Sequence, residues 1–422
     1  MNSSQKPLLL IGLDGAAYDF VRELMAEGRM PVLAKICDTA GLRILESVFP
    51  SLTCPAIPSF MTGKTPSELG IFDFRKADGS IMSSFDITYP TFWETLGECG
   101  IRSLIFNVGM TAPAKPFNGV LVSDFNIRYT PRLYCHPKSL EDELKHLSVT
   151  PQEFTDTAVA REKNPELTAQ KLFEQHERHA KAFIDLARRE SFSLMVFWVP
   201  ETDTAWHWLA HKPEVIKDMY EKIDATIGEL VAVFPEYEVA VISDHGINPP
   251  AHHVFHLNQW LWNNAYLITS KSWRTKYNVW REAFTKEGGG VLRVLVTVKN
   301  IFGKKKKETS TQTENAKTID PFQYLQTLGF DREKSTAFVA PYWRWGLHIS
   351  NDHIVRGRLI AELKKLRYNN QLIFSNVWTR EERFGDTTNT RIPDICFAPA
   401  DGFSIDRRFG FGLARTLKIS ER

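Results

Sequence analysis

Cysteine is scarce: five in 422 residues (Cys37, Cys54, Cys99, Cys135 and Cys396), scattered and without a CxxC pair. That excludes a disulfide framework and a cysteine-ligated metal centre, and it suits a reducing compartment. Long apolar runs are missing as well. No segment approaches the roughly 18 apolar residues that a membrane span needs. The apolar run near the N-terminus, Leu8 to Leu13, is too short for a secretory core and is followed at once by an acid. Nor is there an excess of one charge: 52 Lys and Arg against 50 Asp and Glu leave a net charge of +2. A general binder of nucleic-acid polymers would carry a marked basic excess or patch. These absences predict a cytoplasmic protein with no membrane span and no nucleic-acid partner.

What is present is an ordinary globular composition, 43% hydrophobic and 12% aromatic, on a chain long enough for one large catalytic domain carrying insertions. Short runs rich in Val, Ile and Leu alternate with helical patterns, which predicts an α/β fold with a largely parallel sheet. Strands are expected at Leu8–Leu13, Ser103–Val108, Ser193–Val199 and Glu238–Ile242. Val215, Ile216, Met219, Ile223, Ile227, Leu230 and Val231 recur at helical spacing after Pro213. A short aromatic helix is expected from His256 to Leu267, a strand near Leu347–Ile349 and a helix over Ile360–Leu366. Between Trp273 and Asp320 composition shifts to Gly288-Gly289-Gly290, the basic run Lys304–Lys307 and a polar stretch through Thr318. This predicts an inserted element with a solvated loop rather than a separate domain.

Acids and histidines fall where strands are expected to end: Asp14 after the first, Asp203 and His207 after the third, Asp244 and His245 after the fourth. Open α/β sheets place their sites at the carboxyl ends of strands, so these groups can converge in one crevice. Asp and His supply oxygen and nitrogen ligands suited to zinc or manganese. Each signal alone has a plain structural reading. An Asp after a strand commonly caps a helix, and His207 between Trp206 and Trp208 is equally well a packed structural histidine. Thr53, in Pro50-Ser51-Leu52-Thr53-Cys54-Pro55, begins a helix-like run. A threonine there is an N-cap or a nucleophile, because a helix N-terminus favours a phosphate. Gly63-Lys64-Thr65 does not complete a phosphate-binding loop, since the glycine required five residues earlier is Pro58. Gly12-x-x-Gly15 likewise falls short of a dinucleotide fingerprint.

Taken in order, Gly12-Leu13-Asp14-Gly15-Ala16, Met30-Pro31-Val32-Leu33, Pro50 to Gly63 and Gly70-Ile71-Phe72-Asp73-Phe74 resemble the type I phosphodiesterase/nucleotide pyrophosphatase family of the alkaline phosphatase superfamily. The likeness continues through Phe92-Trp93, Asn107-Val108 and Asn118 to Ser123. Further matches are Asp203-Thr204-Ala205-Trp206-His207-Trp208, Tyr220, Asp224 and Ser243-Asp244-His245-Gly246. Asn258-Gln259-Trp260-Leu261, Arg380-Glu381-Glu382 and Pro393-Asp394 resemble the later landmarks. It covers most of the chain.

The resemblance implies a three-layer α/β/α sandwich with an inserted cap, in a single domain over 1–422 with inserts at about 125–190 and 270–345. It implies two divalent metal ions, zinc or manganese. Asp14, Thr53, Asp244 and His245 would surround one; Asp203 and His207 would hold the second with a third, C-terminal histidine. Thr53 would be the nucleophile in hydrolysis of a small phosphodiester or pyrophosphate. The family's C-terminal histidine segment has no counterpart before Arg422, so the expectation is that this end of the family domain is missing. His252, His253 and His256 occupy a different place in the order, and His211 and His348 are unassigned. Two alternatives follow: a phosphomonoesterase or phosphotransferase of the same fold, and a degenerate member that binds phospholigands without turnover. Substrate specificity would reside in the inserts. There, Tyr342-Trp343-Arg344-Trp345 serves either core packing or stacking on a ligand.

Overall fold

The computed structural model describes residues 6–76, 80–123, 133–147, 164–248, 251–269, 275–279, 322–340, 345–350, 353–387, 389, 392–410 and 412–416. The chain divides into two compact units, residues 1–74 with 81–248, and residues 75–80 with 249–422. Lys304–Thr318, the three successive glycines and Tyr342-Trp343-Arg344 lie outside the described residues.

The first unit is built on six strands: β1 (Leu8–Leu13), β2 (Ser103–Phe106), β3 (Gly119–Val122), β4 (Cys135–His136), β5 (Leu194–Val199) and β6 (Glu238–Ile242). Their order is β4-β3-β2-β5-β1-β6. All neighbours are parallel except the edge strand β4, which runs against β3. Successive side chains on a strand point to opposite faces, so a near-continuous apolar run is the pattern of a sheet covered on both sides. Leu9, Ile11 and Leu13 of β1 join Met195, Phe197 and Val199 of β5 in one core. That core is closed by helices α1 (Tyr18–Ala26), α2 (Pro31–Ala40), α5 (Pro165–Ala187), α6 (Glu201–Leu209) and α7 (Pro213–Val233). Leu8, Leu10, Leu194, Val196 and Trp198 face the other way, against α3 (Thr53–Thr62) and α4 (Phe92–Glu98). Two cores on opposite faces of one sheet make the expected α/β/α sandwich.

Sequence periodicity anticipates α7 well: Pro213 opens it, and Ile216, Met219, Ile223, Ile227 and Leu230 are buried. Strand β2 stops two residues short of its expected end because Asn107 has φ +61°, a left-handed conformation that ends the ladder. The glycine at position 63 is the left-handed C-cap of α3, with φ +68°, and Thr65 closes a capping box with Glu68 in the next turn. Gly63-Lys64-Thr65 is therefore helix punctuation. Another family landmark also proves to be scaffold. Buried Asp224 of α7 accepts the backbone N–H groups of Val32 and Leu33, each at 2.9 Å. It thereby satisfies first-turn donors of α2 that no residue of α2 itself can pair.

In the second unit, Ala337–Phe338, Gly346–Ile349, Ile395–Pro399 and Phe374–Thr379 form an antiparallel sheet in that order. His253–His256 lies between Phe403–Asp406 and Ala414–Thr416 in a second sheet. The expected helix from His256 therefore begins one residue later and is shorter, Leu257–Asn263. Pairing with strands about 150 residues away explains the strand before it, and no local pattern announces such pairing. The helix expected at Ile360–Leu366 spans His353–Leu363, because Ile373 bonds back to Leu366 as the chain enters the hairpin Arg367–Leu372. Among the described residues no helix is long and apolar enough to cross a membrane.

Candidate active site

Asp14 leaves the end of β1 under tight backbone control. Its N–H continues the sheet ladder to Val199 O at 3.1 Å, and its carbonyl accepts the Thr202 hydroxyl at 2.5 Å. Gly15 then turns the chain at φ +65°, and a Cβ there would lie 2.9 Å from Asp203 Oδ1. Only glycine suits both the backbone conformation and the close approach of that carboxylate. The turn is tied to the end of β6: Gly15 N–H donates to Asp244 Oδ1 at 3.2 Å and Ala16 N–H to Ser243 Oγ at 2.9 Å. Ser47 Oγ donates to the Asp244 carbonyl at 2.6 Å.

Thr53 opens α3 after Leu52, which is extended. Pro55 has no N–H and Ala56 N–H already bonds Leu52 O, so Thr53 and Cys54 carry the free donors of that first turn. The Thr53 hydroxyl lies 3.3 Å from Asp14 Oδ1 and 2.9 Å from His245 Nε2. His245 Nδ1 is 2.8 Å from the Gly246 carbonyl. A carbonyl can only accept, so Nδ1 carries a hydrogen and Nε2 is the ring nitrogen turned toward Thr53.

Asp203 sits in the first turn of α6, one turn before His207. One oxygen of Asp14, one of Asp203 and a ring nitrogen of His245 all lie within 4.8 Å of one another. Asp203 Oδ2 is 3.3 Å from His207 Nε2. Asp203 thus faces both ligand sets that the sequence separated. Asp244 Oδ2 is 3.5 Å from His245 Nε2. Five of the six residues singled out in the sequence lie just past the carboxyl ends of β1, β5 and β6 or at the start of α3; His207 stands apart in the last turn of α6 and is the most exposed, at 70%.

Three carboxylates crowd this crevice. Burial raises the Asp14 carboxyl well above the usual range, and the charges of Asp244 and Asp203 add to it, against the hydrogen bonds from Trp198 and Thr53. Burial also raises Asp244, opposed by His245 and by the Gly15 N–H. Asp203 Oδ1 and Asp244 Oδ2 are buried without a hydrogen-bond partner among the described residues. Buried carboxylate oxygens left without a hydrogen bond are costly unless a cation sits among them. The imidazole with its second nitrogen fixed by a carbonyl is likewise the form that ligates metals. The donor set fits a divalent ion.

Sequence reasoning passed over two contributors. Trp198 Nε1–H donates to Asp14 Oδ2 at 3.1 Å, and Ser243 Oγ, an acceptor for Ala16 N–H, donates to the His245 carbonyl at 2.7 Å. A tryptophan inside an apolar strand is a usable signal, since its buried N–H must find an acceptor. In the second unit, His256 Nδ1 donates to the Arg408 carbonyl at 3.1 Å and the His348 ring stacks on Phe338. Asn258 bonds both Val339 N–H and its carbonyl. Arg380 pairs with Asp394. These later landmarks hold their unit together.

The largely parallel α/β/α sheet, with acids, histidines and a threonine gathered at the carboxyl ends of its strands, is of the alkaline phosphatase superfamily. The family model of type I phosphodiesterase / nucleotide pyrophosphatase matches residues 8–413, and the chain belongs to that family. It is a phosphoric ester hydrolase. No curated protein matches it in sequence. Among solved structures, phosphonoacetate hydrolase from Sinorhizobium meliloti 1021, in complex with phosphonoacetate, is 16% identical with a TM-score of 0.56, over 99% of this chain and 88% of that one. An inactive threonine-to-alanine variant of murine ectonucleotide pyrophosphatase/phosphodiesterase 5, in complex with AMP, is 12% identical with a TM-score of 0.51, over 98% and 84%. At these identities the likeness is one of fold.

Proposed function

We propose that this protein is a metal-dependent hydrolase of phosphodiester or pyrophosphate bonds in a small, nucleotide-like phosphoester, acting through a phosphothreonine on Thr53. The observation that carries this reading is the Thr53 hydroxyl at the N-terminus of α3, 2.9 Å from His245 Nε2 and 3.3 Å from Asp14 Oδ1. Phosphonoacetate and AMP, bound in the two solved relatives, both present a phosphorus-centred anion.

Asp14, Asp244 and His245 with Thr53 would hold one divalent ion, zinc or manganese, and Asp203 with His207 a second. When bound, such ions supply Lewis acidity and lower the pKa of a coordinated hydroxyl or water. The protein's own part is positional. Asp14 and His245 fix the Thr53 oxygen, and the N–H groups of Thr53 and Cys54 face the phosphoryl oxygens where charge gathers. The Thr53 oxygen forms a bond to phosphorus, its proton passes to solvent, and the phosphorus–oxygen bond to the leaving alcohol or phosphate breaks. Water then attacks the phosphothreonine, releasing phosphate product and restoring the hydroxyl. The segments at about 125–190 and 270–345, apart from β4 and α5, which belong to the sandwich, would select the substrate within one catalytic domain. The five free cysteines fit a cytoplasmic setting.

The test is hydrolysis of bis-p-nitrophenyl phosphate and p-nitrophenyl phosphate, with Zn²⁺ or Mn²⁺ restored after chelation. Diester turnover that depends on metal and disappears in Asp244→Ala is expected. A strong preference for the monoester would replace the diesterase reading, and turnover indifferent to chelation would end it.

A further inference from the structure

We propose that Trp198 is a positioning residue of this site, its indole N–H holding Asp14 Oδ2 so that Oδ1 is presented to Thr53 and to a bound cation. The inference rests on the reading of Asp14 as a ligand and extends it to a residue outside the acid and histidine set.

Four observations converge. Trp198 is 1% exposed, and in the β1–β5 register it stands beside Gly12. A Cβ on Gly12 would lie 2.0 Å from the indole Cε3, so the ring occupies the space a side chain would take. From there its N–H reaches Asp14, two residues along β1, at 3.1 Å. The ring is pinned by Phe60 of α3, with centroids 5.7 Å apart, and the Trp198 carbonyl accepts Asn107 Nδ2 at 3.2 Å. A phenylalanine would fill most of this volume, so packing alone does not call for the nitrogen. The buried N–H has instead taken as acceptor the most crowded carboxylate of the crevice. Hydrogen bonds of this kind, between a neighbour and a metal-binding side chain, fix the orientation of the ligand. The motif Gly12-Leu13-Asp14-Gly15 thus needs its glycines for separate reasons: the first admits the tryptophan, the second admits Asp203.

The experiment compares the full-length wild type with Trp198→Phe, and with Trp198→Leu as a second variant should the first not fold. Zn²⁺ affinity is measured after chelation by competition with a chromophoric chelator, together with the melting temperature of the metal-free protein and with kcat and KM on bis-p-nitrophenyl phosphate. The expected result is affinity weakened about 10-fold, kcat lowered with KM nearly unchanged, and a Zn²⁺-dependent change in tryptophan fluorescence that is smaller in the variant than in the wild type. A merely structural role would lower the melting temperature and leave the affinity of the folded protein unchanged, which would overturn the inference. A wild type that binds no Zn²⁺ would overturn the ligand reading of Asp14 and this inference together.

Discussion

The first unit holds two buried clusters of acid and histidine, and they solve the same problem differently. At the sheet edge, Asp14, Asp203 and Asp244 crowd around the buried His245, with the exposed His207 against Asp203. At the first residue of α6, a single carboxylate, Glu201, faces two histidines of α5, His179 at 3.2 Å and His176 at 3.9 Å. Burial works against the charge of Glu201, yet His179 and then His176 outweigh it and its pKa falls. Asp14 moves the other way, raised by burial and by its acidic neighbours. The lower cluster sets two imidazoles against one carboxylate. The upper one sets three carboxylates against one buried imidazole, an excess of negative charge that a divalent cation would offset.

The sharpest way to break this contrast is Thr53→Ala. Diester turnover should fall by about 10³-fold or more, with the fold and Zn²⁺ binding largely retained; residual activity within tenfold of wild type would remove Thr53 as nucleophile. Glu201→Ala should do the reverse. Breaking the buried pair is expected to cost about 3 kcal/mol by denaturant unfolding while turnover per folded molecule stays near wild type, and a stability equal to wild type would show the cluster to be inert. The histidines give a pH signature. Burial, partly offset by Glu201, drives His176 down to about 4 from 6.5. Between those values the unfolded chain binds a proton that the folded one refuses, so stability present above the unfolded value is lost as pH falls. Wild type should therefore lose up to about 3 kcal/mol relative to His176→Gln between neutral pH and pH 4. Parallel stability–pH curves for the two proteins would contradict it. Smallest is Gly15→Ala, where a left-handed backbone and contact with Asp203 predict about 1–2 kcal/mol of destabilisation. Weaker Zn²⁺ binding should accompany it, and an unchanged variant would mean the turn adapts.

Much of this was legible in the sequence, for reasons that also explain the remainder. β1 and β6 have the boundaries their apolar runs predict, and for β1 and α7 the reason is that a doubly covered strand and a packed helix write burial directly into composition. The acids and histidines were found because each follows a strand end. What stayed hidden depends on contacts between distant segments. Nothing near Asp203 announces that it faces Asp14 as well as His207, and Trp198 looked like one more apolar residue of β5. Asp224 resembled a site landmark, yet its partners are the N–H groups of α2. An order of motifs shows which residues matter without separating those that react from those that brace.

Asp224 and Val32 are 192 positions apart in the chain, and Gly15 and Asp244 are separated by 229. During synthesis, therefore, the start of α2 stays uncapped and the crevice stays open until most of the first unit has left the ribosome. Contacts of such long range are closed late in folding. The same delay keeps the three carboxylates from meeting before the strands that hold them are paired, so the crowded crevice is a late product of assembly.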